Sequence, residues 1–187
     1  TPGDSILVEA GWGQVTSSKI DSTGAWMLRL PTPKYGGPYT LSFVSTNQQI
    51  VLKDILIGEV WFSSGQSNME WPMIARINNR KQEIQNASSP DIRMFNMPRN
   101  LDRVSVYGAS WKRTTPENAQ YFSAVAYFFA RKLNEVLNIP VGIVNSSWGG
   151  TRVEAWTSLD KLLQNPLSQK EATQIHQKGG LKVLEKE

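Results

Sequence analysis

Ser67 is the residue of this sequence best placed to do chemistry. It stands in Gly65-Gln66-Ser67-Asn68-Met69, directly after the apolar run Ile55-Leu56-Ile57-Gly58-Glu59-Val60-Trp61-Phe62. Such a run reads as a strand buried on both faces of a parallel sheet, and open α/β sheets bind their ligands beyond the carboxyl ends of the strands. A hydroxyl at that place is a candidate nucleophile, provided that a base takes its proton and N–H donors receive the oxyanion it creates. Gly65 permits a tight turn, and a helical turn following it would aim N–H groups and a positive dipole end at that oxyanion. The spacing is not the G-x-S-x-G elbow, because Met69 fills the place of the second glycine. With no cysteine and one histidine, His176, the chain has no thiol nucleophile, disulfide or thiolate metal site. A multi-histidine metal centre is not expected either, so the chemistry anticipated here uses no metal or cofactor.

A serine used in this way needs a rigid sheet behind it, and the patterning supplies one. After the first apolar run, Ile92-Arg93-Met94-Phe95 and Val141-Gly142-Ile143-Val144 read as two further strands of a parallel sheet. Between them Val125, Phe128, Phe129, Leu133, Val136 and Leu137 recur at helical spacing, with Ser123 able to cap the start and Asn138-Ile139-Pro140 ending it. Right-handed crossover of such strand, helix, strand units yields an open sheet flanked by helices. Before it, Ile6-Leu7-Val8, Trp26 to Leu30, Tyr39 to Phe43 and Ile50-Val51-Leu52 are short β-prone segments separated by turn residues. We therefore expect a β-rich, sandwich-like module over residues 1–53 and an α/β part over 54–187. The stretch from Asn100 to Tyr121 reads as a long loop holding Trp111, and the tail from Pro166 as a polar helix that frays.

Size and charge agree with this. A chain of 187 residues with 40% hydrophobic content can build a core, and its net charge of +4 is scattered rather than gathered into a basic run able to track a phosphate backbone. Nucleic acid is thus not an expected partner. Nor is a membrane, since no apolar stretch approaches the roughly 18 residues of a spanning helix. The chain opens without Met and lacks a signal-peptide pattern at Thr1-Pro2-Gly3-Asp4. It thus reads as a processed mature chain or an excised piece, and a removed export signal would leave no trace in it; an extracytoplasmic location (secreted, periplasmic or lysosomal) is expected.

Two blocks carry a resemblance to a known family. The segment from Gly58 to Pro72, GEVWFSSGQSNMEWP, resembles the first sequence block of the sialate O-acetylesterase and carbohydrate esterase family six group within the SGNH hydrolase superfamily. The segment from Gly142 to Trp156, GIVNSSWGGTRVEAW, is similar to the block that in this group supplies a glycine N–H to the oxyanion hole. Phe122 to Phe129 and the β-rich start ending in Gly36-Gly37-Pro38-Tyr39 resemble further parts, so the likeness reaches about Leu159. It implies an SGNH, flavodoxin-like fold. It also implies that Ser67 attacks the acetyl carbonyl of an O-acetylated carbohydrate, with its own N–H and that of Gly149 or Gly150 binding the oxyanion. Gln66 and Asn68 then fix the turn, while Glu59, Glu70 and Arg152 are candidates for an ion pair that buttresses the site. Trp148 and Trp156 either line a pocket or pack. Asn86-Ala87-Ser88 and Asn145-Ser146-Ser147 fit the N-glycosylation pattern.

The same resemblance implies an Asp-x-x-His motif and a Gln-Gly-Glu motif, and neither occurs. Thr173 stands where the aspartate of such a motif would precede His176, which reads as an exposed residue of a polar helix. The expectation is an incomplete, amino-terminal piece of an esterase domain, cut from a longer enzyme or completed by a second subunit that brings the histidine and aspartate. The competing reading is a catalytically inactive carbohydrate-binding relative.

Overall fold

The computed structural model describes residues 1–99, 106 and 108–177. Two four-stranded sheets follow each other along the chain. The first contains β1 (Ser5–Ala10), β2 (Val15–Lys19), β3 (Gly36–Val44) and β4 (Gln49–Ile57) in the antiparallel order β2-β1-β3-β4. In β1 the period of two is strict: Ile6, Val8 and Ala10 are buried while their neighbours face out.

The second sheet holds β5 (Glu59–Gly65), β6 (Ser89–Asn96), β7 (Lys112–Thr114) and β8 (Val141–Ser147), in the order β5-β8-β6-β7. β5, β8 and β6 are parallel, and β7 runs antiparallel along β6. Between and after them come α1 (Ser67–Glu70), α2 (Arg80–Gln85), α3 (Pro116–Ala119), α4 (Ala124–Leu137), a 3₁₀ turn at Val153–Trp156, α5 (Leu159–Gln164) and α6 (Gln169–Gln177).

The core lies between α4 and one face of this sheet. Ala126, Tyr127 and Ala130 of α4, with Phe122 before it, are buried with Ile92 and Met94 of β6 and Val141 and Ile143 of β8. The alanines let the helix approach closely, and each large side chain buried there contributes roughly 1.5–3 kcal/mol. Both ends of α4 are as the sequence predicts: the Ser123 hydroxyl accepts from the Ala126 N–H at 3.1 Å, and Asn138 closes the helix in the left-handed conformation at φ 53°.

Several expectations need correction. The run from Ile55 to Phe62 is not one strand, because Ile55 and Ile57 complete β4 against β3 and the chain changes sheet at Gly58. Gly58 lies so close to Pro140 that a Cβ there would stand 2.0 Å from the Pro140 carbonyl oxygen, so only glycine fits. Nor is β5 buried on both faces. Among the described residues it is an edge strand, with Val60 and Phe62 65% and 66% exposed, and Trp61 meets α4 edge-on to Phe129 with ring centroids 5.2 Å apart.

Trp26 to Leu30 forms no strand; it is tied down instead by the Ser18 hydroxyl donating to the Met27 carbonyl. β7 and α3 occupy part of what reads as a long loop before Tyr121, and other residues of that stretch, 100–105 and 107, lie outside the described set. An ion-pair hub joins the two sheets: Asp54, in the left-handed region at φ 63°, accepts from Arg93 of β6 at 2.9 Å and pairs with Arg113 of β7 at 2.8 Å. Among the described residues no helix is long and apolar enough to cross a membrane.

Candidate active site

The register of β5 against β8 builds the site. Gly65 is level with Ser147 at the ends of two neighbouring parallel strands, so the segments that follow leave the sheet side by side. Gly65 takes φ 148°, a conformation suited to glycine, and Ser67 opens the single turn α1. One turn is too short for a large macrodipole, so what α1 offers near Ser67 is its free N–H groups. The strand ends are fastened to one another by the Trp148 N–H, which donates to the Gly65 carbonyl at 3.0 Å.

Gly149 faces the serine. A methyl group placed on it would lie 3.2 Å from Ser67 Oγ and 3.4 Å from Ser67 Cα. Gly150 differs: at φ 80° it has open space where its side chain would be. Of the two glycines, then, Gly149 is the one beside the hydroxyl. Gln66 clamps the loop from the other side by donating its amide to the Thr151 carbonyl. The Thr151 hydroxyl donates to the Trp148 carbonyl at 2.7 Å and accepts from the Trp156 indole at 2.7 Å, so Trp156 braces this loop. Asn68 makes no side-chain hydrogen bond among the described residues.

The anticipated ion pair takes a different form. Glu59 begins β5, level with Val141, six residues before Gly65. At ~3.3 Å per residue that is about 20 Å from the serine end, at the amino edge of the sheet. Glu59 therefore does not buttress the site. Arg152 pairs with Glu154 at 3.0 Å and with Glu171 of α6 at 3.2 Å, and these carboxylates, Glu154 foremost, push its guanidinium pKa up. It steadies the loop beyond Gly150 rather than meeting Glu59 or Glu70.

Glu70 is the acidic residue at the serine. One carboxylate oxygen accepts the Gly149 N–H and the other pairs with Arg99. Its sequence signal is its place three residues after Ser67, one helical turn on; nothing in the sequence marked Arg99. His176 is exposed on α6, and among the described residues no cluster of three His, Cys, Asp or Glu gathers to hold a metal. Of the two glycosylation sequons, Asn145 is buried within β8 and hydrogen-bonds Asn96 at 3.1 Å, so its amide is unavailable in the folded chain.

Comparison with known proteins agrees with the fold and the class. No family model matches the chain. A carbohydrate acetylesterase from Xanthomonas citri superposes with a TM-score of 0.80 at 38% identity, covering 88% of this chain and 38% of that one. The molecule therefore has the α/β fold of an SGNH-type carbohydrate acetylesterase. Sialate O-acetylesterase from Mus musculus is 34% identical over 177 residues, 84% of this chain and 33% of the mouse protein. The Homo sapiens sialate O-acetylesterase is 33% identical, with 34% of its length covered. Over most of its length the chain is a homologue of the sialate O-acetylesterases, and it spans about a third of the curated relatives it matches.

Proposed function

We propose that this chain is the nucleophile-bearing part of a carbohydrate O-acetylesterase, acting on O-acetyl groups of sialic acid or xylan. The observation that carries the reading is the meeting of Ser67 and Gly149 at the carboxyl ends of adjacent parallel strands, with Gly149 packed against the hydroxyl. In this reading Ser67 Oγ adds to the acetyl carbonyl while a base takes its proton. The tetrahedral oxyanion is held by the Ser67 and Gly149 N–H groups, and one such donor is worth about 3–4 kcal/mol. Collapse expels the sugar hydroxyl and leaves an acetyl-serine, which water hydrolyses.

The base is not among the residues gathered here. A histidine and its aspartate are supplied, on this proposal, by the carboxyl-terminal remainder of the same enzyme or by a second subunit. The edge of β5 that no other described strand pairs, with its exposed Val60 and Phe62, is where that remainder would continue the sheet. The antiparallel sheet of β1 to β4 serves as a separate β-rich module. The chain joined to its remainder should hydrolyse nitrophenyl acetate and acetylated sugars, and Ser67→Ala should abolish turnover. Turnover undiminished by Ser67→Ala removes the nucleophile assignment, and sugar binding without any turnover favours a binding module instead.

A further inference from the structure

We propose that Glu70 is a built-in occupant of the anion position beside Ser67, and that its carboxylate must leave before an ester carbonyl oxygen or a small carboxylate can bind there. The catalytic meaning rests on the esterase reading, whereas the contact itself does not. The Gly149 N–H donates to a Glu70 carboxylate oxygen. A methyl on Gly149 would stand 2.6 Å from that same oxygen and 3.2 Å from Ser67 Oγ, so hydroxyl, N–H and carboxylate converge on one small volume.

An N–H cannot give its full hydrogen bond to two anionic oxygens at once, and a second negative oxygen at this distance is repelled by the first. While Glu70 holds the donor, the hole is filled. The arrangement also provides a way out. The second Glu70 oxygen pairs with Arg99, whose side chain is 50% exposed against 27% for Glu70. Arg99 thus stands toward the rim, where it can receive the whole carboxylate when Gly149 is given up, and the charge remains paired in both positions. Glu70 is in this sense a positioning residue: it keeps the Trp148–Gly149 turn closed on the serine and sets how readily the hole accepts an anion.

The test needs no turnover. In ¹⁵N-labelled samples of the full 187-residue chain, the Gly149 amide resonance is followed during titration with sodium acetate. In the parent chain that amide should lie downfield, as expected of a donor to a carboxylate, and respond weakly. In Glu70→Ala it should move upfield and acquire a saturable response, with acetate binding tightened by about tenfold or more. Glu70→Gln, nearly isosteric and uncharged, should give the same direction with a smaller change and covers the case in which the alanine variant folds poorly. A Gly149 amide that responds alike in the parent and both variants, or that responds in none of them, overturns the proposal. Because the readout is binding at one amide, its failure is distinct from failure of the esterase reading, which the Ser67→Ala turnover assay decides.

Discussion

Replacing Gly149 by alanine should remove catalysis while leaving the fold nearly intact, and the same change one residue later should do the reverse. Gly149 does not occupy the left-handed region, so its backbone accepts a side chain without conformational penalty. The added methyl would meet Glu70 Oε2 at 2.6 Å, which the flexible end of that side chain relieves by moving less than 1 Å. It would also stand 3.2 Å from Ser67 Oγ and 3.4 Å from Ser67 Cα, in the space that on the proposed esterase reading an acetyl oxygen enters to reach the N–H. The stability cost is that of mild overpacking, about 1 kcal/mol. The N–H itself remains, but with its approach blocked by the methyl it no longer serves as an oxyanion donor, and a donor so denied lowers kcat by about 10²–10³-fold. Gly150, at φ 80° with open space around it, pays the left-handed penalty of about 1–2 kcal/mol in stability when it becomes alanine, and activity stays within about threefold. The assay is kcat and KM for nitrophenyl acetate with the chain joined to its remainder, alongside urea unfolding of each variant. A Gly149→Ala protein as active as its parent, or a Gly150→Ala protein losing the same large factor, refutes the assignment of the donor.

Two further outcomes follow from the packing. Gly58→Ala should destabilise the chain by about 3 kcal/mol or more, because its Cβ would meet the Pro140 carbonyl oxygen at 2.0 Å and backbone rather than side chain must move; a urea midpoint equal to the parent's would show that the seam between the sheets is looser than described. Phe62→Ser should reduce self-association of the isolated chain in sedimentation velocity, since Phe62 and Val60 form an exposed apolar pair on a free sheet edge, and a parent chain that is already monomeric at high concentration would count against that edge as a contact surface.

What could be read from the residues alone was what is settled locally or by chain topology. Helix α4 is such a case in its extent, since the Ser123 cap and the Asn138-Ile139-Pro140 stop lie within one element; the face it buries, Ala124, Ala126, Tyr127 and Ala130, is not the one its apolar spacing marks, because Val125, Phe129, Val136 and Leu137 are exposed. The approach of Ser67 to Gly149 was legible for a second reason. Parallel strands joined by right-handed crossovers present their carboxyl ends at one edge, so residues just after two such strands meet whatever fills the space between.

The tertiary structure decided what depends on which partner a segment finds. Apolarity marks Ile55 to Phe62 as strand-forming but does not say that one sheet claims it up to Ile57 and the other from Glu59; the close approach of Gly58 to Pro140 makes that division. Trp26 to Leu30 has the composition of a strand and no ladder to join, while the polar β2 is a strand because β1 pairs with it, strand propensity being largely a matter of neighbours. The acidic residue at the site was decided in the same way. Glu59 and Glu70 both stand near Ser67 in sequence, yet a strand's extended rise carries Glu59 to the far edge of the sheet, while one helical turn keeps Glu70 at the hydroxyl, where Gly149 and Arg99, remote along the chain, close on its carboxylate.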